Sequence, residues 1–256
     1  EVLEAHKEHP EIDISSLKGL GSGGAARPPE QLKSQEKEHP DKVATVGYGL
    51  TETNAQGTNA SGPILYERPS TAGFPIPPIT QIKIVGEDGK EVATNEVGEV
   101  AIKSTCNFRC YLKNQDATNE VLDSEGWFRS GDVGCLDDEG FLYIKDRIKD
   151  IVIRGGENIA CLEIEAAIYE HPSVREASVF GIPDERLGEK LAVRISLNPE
   201  KTLSQEELSS FLEKKIAKFK IPELAWFQDE ELPKVAAGKI AKKDMREEAI
   251  KELGLN

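Results

Sequence analysis

The chain has 256 residues, 38% apolar, 30% charged and only 6% aromatic, an ordinary profile for a globular protein of one or two domains. Its 32 basic and 46 acidic residues leave a formal net charge of −14, which argues against general binding to nucleic acid or to an anionic membrane. No apolar run reaches the roughly 18 residues of a membrane-spanning helix, and the N-terminus lacks the basic and apolar segments of a signal peptide.

The first residue is Glu1 and Met245 is the single methionine, so the start reads as a cut inside a longer protein. The opening stretch through His9-Pro10 reads as a helix end. Leu17 to Ala26 reads as a short buried strand running into a glycine loop. Pro28-Pro29-Glu30 opens a helix that ends near His39-Pro40. Val43-Ala44-Thr45-Val46 is a strand leading into Gly47-Tyr48-Gly49-Leu50-Thr51-Glu52. Strand, loop, helix, strand is the α/β order, with ligands at the carboxyl ends of the strands.

From about residue 70 the texture changes. Gln81 to Val85, Gly98 to Lys103, Gly126 to Arg129, Gly134 to Leu136 and Phe141 to Ile144 are short strands, several divided by acidic glycine turns. That spacing predicts antiparallel hairpins forming a small β-barrel or sandwich. After Lys149 the α/β pattern returns. Leu162 to Glu170 is a helix, and Glu176 to Gly181 and Lys190 to Ile195 are strands. Ser204-Gln205-Glu206-Glu207 is a capping box. It opens a helix that brings Leu208, Phe211, Leu212, Ala217 and Phe219 to one face until Ile221-Pro222 stops it. Ile240 to Leu253 is a last helix. Residues 149–256 carry 17 basic and 21 acidic side chains, and residues 1–148 carry 15 and 25, so the C-terminal part better suits an anionic ligand.

Cys106 and Cys110 are expected to share a face of a strand. With Cys135 and Cys161 they read as reduced thiols of a cytoplasmic protein. His6, His9, His39 and His171 do not supply zinc spacing. No Ser/His/Asp or Cys/His triad stands out.

Five motifs could carry chemistry. Gly19-x-Gly21-x-x-Gly24 matches the dinucleotide fingerprint, but Pro28-Pro29 delays the helix, so a tight turn near a ligand fits better. In Tyr48 to Glu52, glycine lets backbone approach a ligand. Thr51 offers a hydroxyl to a phosphate oxygen and Glu52 a hard oxygen to Mg²⁺; a solvated polar loop explains the pentapeptide equally well. Arg129-Ser130-Gly131-Asp132 ends another strand, where the carboxylate can accept both ribose hydroxyls or simply form a turn. Asp146 to Ile159 holds a charged corner, an apolar strand and the Gly155-Gly156 turn, or else a plain hairpin with surface ion pairs. Lys239 directly follows a loop glycine, Gly238. A point charge there can meet developing phosphate charge, with a solvated lysine as the alternative.

Ser22-Gly23-Gly24-Ala25, Tyr48 to Glu52, Ser130-Gly131-Asp132, Asp146 to Ile159 and Gly238-Lys239, in this order, resemble the AMP-forming acyl-CoA synthetases, in the superfamily of adenylate-forming enzymes that includes luciferases and peptide-synthetase adenylation domains. The resemblance runs from about Ile14 to Ile250. It implies a C-terminal half in three parts. Residues 1–65 would end a large α/β domain, 66–148 would form a small antiparallel β-barrel, and 149–256 would be a mobile C-terminal α/β domain hinged at Lys149.

The resemblance also implies roles. Gly23, Gly24 and Ala25 would lie against adenine and the acyl carbonyl. Tyr48 would stack on adenine, with Gly49 and Leu50 beside the acyl group. Thr51 would contact phosphate and Glu52 would hold Mg²⁺. Asp132 would bind ribose, helped by Arg147. Gly155 and Gly156 would line the pantetheine tunnel, and Lys239 would be the lysine of the adenylation step. The implied partners are a carboxylic acid, with fatty acids as the expected class, ATP/AMP, Mg²⁺ and coenzyme A. A homodimer is compatible with this reading; nucleic acid is not. The family's Ser/Thr/Gly-rich phosphate loop is not among these residues and would lie upstream of Glu1, so the chain alone is expected to be inactive. Alternatives are an adenylation domain that loads a carrier protein, a luciferase-like oxygenase, and a non-catalytic AMP-binding piece.

Overall fold

The computed structural model describes residues 2, 5–6, 9–24, 27–236 and 238–255. The strands of these residues form three sheets. The first has the order β1 (Gly19–Gly23), β2 (Val43–Tyr48), β3 (Thr58–Ser61), β4 (Phe74–Pro75). β1 and β2 run parallel and are joined by helix α1 (Pro29–Glu38), which starts on a proline with Glu30 in its first turn. Proline suits that position because its missing N–H has no intrahelical partner there. Leu32 of α1 is buried against Ala44, Ala60 and Leu65, the last on the short helix α2 (Pro63–Glu67). The expected α/β unit is present, but Gly19, Gly21 and Gly23 lie within β1 rather than in a loop after it. Close approach explains one of them: a Cβ on Gly23 would stand 3.0 Å from the Gly47 carbonyl oxygen.

The second sheet is an antiparallel meander of β5 (Thr80–Val85), β6 (Gly98–Ser104), β7 (Trp127–Leu136) and β8 (Leu142–Arg147). The expected barrel does not close among the described residues. Four strands are too few to curl around a core, and the outer edge of β8 is already used. Leu142 bridges Gly73, and its carbonyl accepts from Ala72 N, so β8 is stitched to the first sheet instead of to β5. Ile84, Val100, Ile102 and Leu142 form the core of this sheet, with Tyr48 and Leu50 packed on it. Helix α3 (Gln115–Val121) lies between β6 and β7, capped by Asn114 Oδ1, which accepts from Ala117 N at 3.1 Å. Arg129 to Asp132 sit inside β7 rather than at a strand end. β6 stops at Ser104, so Cys106 and Cys110 lie beyond the strand and share no strand face.

The third sheet has the order β10-β9-β12-β11, with β13 also paired to β12. Its strands are β9 (Val152–Arg154), β10 (Glu157–Ile159), β11 (Val174–Asp184), β12 (Gly188–Leu197) and β13 (Leu224–Gln228). Alternation along β11 and β12 makes two cores. Val179, Val193 and Ile195 face helices α4 (Cys161–Tyr169) and α5 (Gln205–Leu212), while Phe180, Ile182 and Ala192 face helix α6 (Lys242–Glu252) through Met245 and Ala249. The capping box is formed: Ser204 Oγ accepts from Glu207 N and Glu207 Oε2 from Ser204 N. α5 nevertheless ends at Leu212, leaving Ala217 and Phe219 outside the helix and exposed. The chain must reverse there to lay β13 parallel to β12.

Candidate functional site

Tyr48 ends β2, and its hydroxyl donates to Asp132 Oδ2 at 2.8 Å. Asp132 is 6% exposed and pairs in register with Arg147 of β8, whose Nε lies 3.4 Å from Oδ1. The bend that aims Asp132 is at Gly131, with φ +72°. Glu99 holds that bend: Oε1 accepts from Gly131 N at 3.0 Å and Oε2 from Arg129 Nε at 2.7 Å. Burial holds the Asp132 carboxyl above the usual carboxylate range; the Tyr48 hydroxyl and the charges of Arg147 and Lys239 oppose this. Burial, with the neighbouring Asp132 charge, pushes the Tyr48 phenol up as well.

The turn after β2 carries Gly49 to Glu52. A Cβ on Gly49 would stand 2.5 Å from the backbone of Ala55, so only glycine fits. Thr51, Glu52 and Thr53 form one 3₁₀ turn, closed by Thr53 Oγ1, which accepts from Leu50 N and donates to Leu50 O. Thr51 is exposed; Glu52 is half-buried and its Oε1 accepts from the Tyr111 hydroxyl at 2.8 Å. Burial and this bond push the Tyr111 phenol up to about 12. Leu50, Glu52, Tyr111, Phe128, Ser130 and Gly131 share the walls of a cleft of about 320 Å³.

Lys239 comes from the third unit. Its loop is a narrow hairpin: Lys234 bridges Ile240, and Val235 N donates to Lys239 O. Both ends are pinned. Lys234 Nζ bonds Glu176 at 3.0 Å and Glu231 at 2.7 Å, and Lys242 Nζ bonds Glu165 at 2.9 Å. A Cβ on Gly24 would lie 3.7 Å from Lys239 Cε, so this side chain reaches the loop after β1. Ala25 lies outside the described residues.

Tyr48, Asp132 and Arg147 therefore meet, Glu52 lies in the turn that follows Tyr48, and Lys239 reaches Gly24. Gly155 and Gly156 are not part of that cluster. They form a two-residue turn between β9 and β10 with φ of +61° and +89°, the geometry of a primed hairpin turn. Gly155 N donates to Leu187 O. Lys149 is exposed in the 3₁₀ turn Ile148–Asp150 that joins β8 to β9. Beside it, buried Asp146 accepts from Arg147 N and from Cys161 N at the start of α4.

Sequence reasoning missed Tyr111, Glu99, and the Asp146, Glu165 and Lys242 cluster. Two aromatic residues, Phe108 and Tyr111, in a stretch without strand alternation were the available signal for the first. The described residues contain no group of three or more His, Cys, Asp or Glu able to hold a metal. Glu52 offers a carboxylate beside an exposed Thr hydroxyl. That donor set fits Mg²⁺, which takes one or two protein oxygens and fills its shell with phosphate and water.

Two family models match in succession, the AMP-binding enzyme over residues 1–112 and the AMP-binding enzyme C-terminal domain over residues 163–239. The chain is 37% identical over 243 residues to a long-chain-fatty-acid–CoA ligase of Bacillus subtilis, covering 94% of this chain and 43% of that protein. It is 35% identical to the long-chain-fatty-acid–CoA ligase FadD13 of Mycobacterium tuberculosis, covering 94% and 46%. The o-succinylbenzoate CoA synthetase of Bacillus subtilis, solved with its acyl-adenylate intermediate, superposes with a TM-score of 0.83 at 31% identity, covering 95% of this chain and 49% of that one. The same synthetase has been solved with ATP and a magnesium ion, with a TM-score of 0.81. The chain spans about half the length of the curated relatives it matches. No helix among the described residues is long and apolar enough to cross a membrane. The two family models, matched in succession along one chain, lead to one conclusion: this chain belongs to the AMP-binding enzyme family.

Proposed function

We propose that this chain is the C-terminal portion of an AMP-forming acyl-CoA synthetase acting on a carboxylic acid, with fatty acids as the class. The observation that carries this reading is the reach of Lys239 to Gly24 and its field on Asp132, which bring a cation to the strand ends that hold Tyr48 and Glu52. The proposed division is 1–65, 66–148 and 149–256, with Lys149 as hinge; the strands of the third sheet all follow Lys149, while β4 (Phe74–Pro75) of the first sheet falls in the second part.

In the first half-reaction a substrate carboxylate oxygen attacks the α-phosphorus of ATP. The α–β bridging P–O bond breaks, and pyrophosphate leaves with its electron pair. Lys239 supplies positive charge to the phosphate oxygens as negative charge spreads over them. Asp132 accepts the ribose hydroxyls, and its bonds to Tyr48 and Arg147 keep that carboxylate in one orientation. The Tyr48 ring and the backbone of Gly23 and Gly24 line the adenine and acyl carbonyl, and Gly49 and Leu50 the acyl group. Thr51 contacts phosphate. Mg²⁺, when bound at Glu52, supplies charge neutralisation to the phosphates. In the second half-reaction the C-terminal part turns about Lys149 and presents Gly155 and Gly156 to pantetheine. The CoA thiolate then attacks the acyl carbonyl and AMP leaves. No protein nucleophile is needed. Reduced thiols and the use of ATP and CoA suit the cytoplasm.

The test is a thioesterification screen of the complete enzyme against a panel of fatty, aryl and short organic acids. The expected result is CoA-, ATP- and acid-dependent release of AMP and pyrophosphate. Acyl transfer to a carrier protein in place of CoA would overturn it.

A further inference from the structure

The segment between β6 and α3 is lashed to the Glu52 turn at three points. Phe108 N donates to the Glu52 carbonyl at 2.6 Å, Asn54 Nδ2 donates to Cys106 O at 2.7 Å, and the Tyr111 hydroxyl donates to Glu52 Oε1 at 2.8 Å. Tyr111 is itself held. Its N–H donates to Thr118 Oγ1 at 3.0 Å, its ring packs on Phe108 with centroids 4.8 Å apart, and Thr118 is 4% exposed in α3. A phenol carries one proton to donate, and here it goes to the carboxylate.

We propose that Tyr111 is a positioning residue for the metal-binding carboxylate: by occupying Oε1 it presents Oε2 of Glu52 as the single oxygen for a divalent cation. This rests on the reading of Glu52 as the Mg²⁺ ligand. A monodentate carboxylate is what Mg²⁺ needs when phosphate and water fill most of its octahedron. A hydrogen bond from a neighbouring side chain fixes the orientation of such a ligand.

The experiment is a Mn²⁺ titration, read by the electron paramagnetic resonance signal of the free ion, on the complete enzyme with saturating ATP. AMP affinity without metal is measured alongside. Tyr111→Phe keeps the ring and its packing but removes the donor. It is expected to weaken Mn²⁺ retention roughly tenfold and to leave AMP affinity within about twofold. Glu52→Gln should weaken Mn²⁺ at least as much. If Glu52→Gln weakens the metal and Tyr111→Phe does not, the positioning role is refuted while the Glu52 reading stands. If neither variant changes Mn²⁺ retention, the Glu52 reading itself fails. An equal loss of AMP and Mn²⁺ binding in Tyr111→Phe would make the residue a prop for the fold and overturn the proposal.

Discussion

Lys242→Met tests the charge cluster that anchors the Lys239 loop. Lys242 Nζ bonds Glu165 at 2.9 Å, and its side chain is 21% exposed. Glu165 is 9% exposed and Asp146 2%, and both carboxyls lie above the usual range because burial disfavours their charge, while Lys242 opposes that shift. Burial also works against the Lys242 ammonium, but Glu165, Cys161 and Asp146 together raise its pKa above the ordinary value. Removing the cation leaves two buried carboxylates without it. Breaking a buried pair in this way costs about 3–5 kcal/mol, and the residual exposure of Lys242 places the expectation near ~3 kcal/mol. With a denaturant slope of about 2 kcal/mol/M, the urea midpoint should fall by about 1.5 M.

The loss should depend on pH. A carboxyl with a folded pKa above its unfolded one holds its proton more tightly when folded. Its stabilising contribution is present below the unfolded pKa and is lost as pH rises through the folded pKa. The variant should therefore be most destabilised near pH 8 and recover part of the loss near pH 5. Unfolding can be followed through Trp226 of β13, with Trp127 replaced by Phe in both proteins. A loss below about 1 kcal/mol at pH 8, or the same loss at both pH values, would refute the reasoning. Adding Glu165→Gln should restore much of the stability, because one of the stranded charges is gone.

In the complete enzyme, Lys239→Ala should slow adenylation by about 10²–10³-fold, the scale of losing one preorganised electrostatic contact. Thioester formation from supplied acyl-AMP should change little, and equal loss in single-turnover assays of both steps would contradict the role. Under the proposed ribose-binding role of Asp132, Asp132→Asn should weaken AMP binding by roughly tenfold through loss of one charged acceptor; calorimetry with AMP and 2′-deoxy-AMP should show the preference for AMP shrinking. Gly156→Val places a β-branched residue at φ +89° and should slow the CoA step while sparing pyrophosphate exchange, as read by separate half-reaction assays. Because it spans about half the length of its relatives, the 256-residue chain alone should show no carboxylate-dependent ATP–pyrophosphate exchange, and robust exchange would refute that expectation.

Local geometry set by contiguous residues was legible in the sequence. Tyr48 to Glu52 runs without interruption from the end of β2 into a 3₁₀ turn, and Gly49 has to be glycine because the backbone of Ala55 passes 2.5 Å from its missing Cβ. Gly155-Gly156 reads as a turn from the dipeptide alone, since two adjacent positive φ angles favour glycine. The alternation at Gln81 to Val85 and Gly98 to Lys103 likewise announces an antiparallel pair. The five-residue strand β13 was missed because all its residues are half-buried and show no alternation.

What pairs with what across long separations could not be read from sequence. Tyr111 meets Glu52 over 59 positions and Tyr48 meets Asp132 over 84, and no local propensity encodes either distance. The open form of the second sheet was decided by Thr71 to Gly73, which take the β8 edge that a barrel would have used. By itself the sequence determined the list of chemical groups and the class of most of the longer elements, because turn geometry, capping and periodicity are short-range effects. Only the tertiary structure decided that Lys239, near the end of the chain, comes to Gly24, near its beginning. That meeting depends on how three sheets pack, and packing is set by burial summed over the whole molecule.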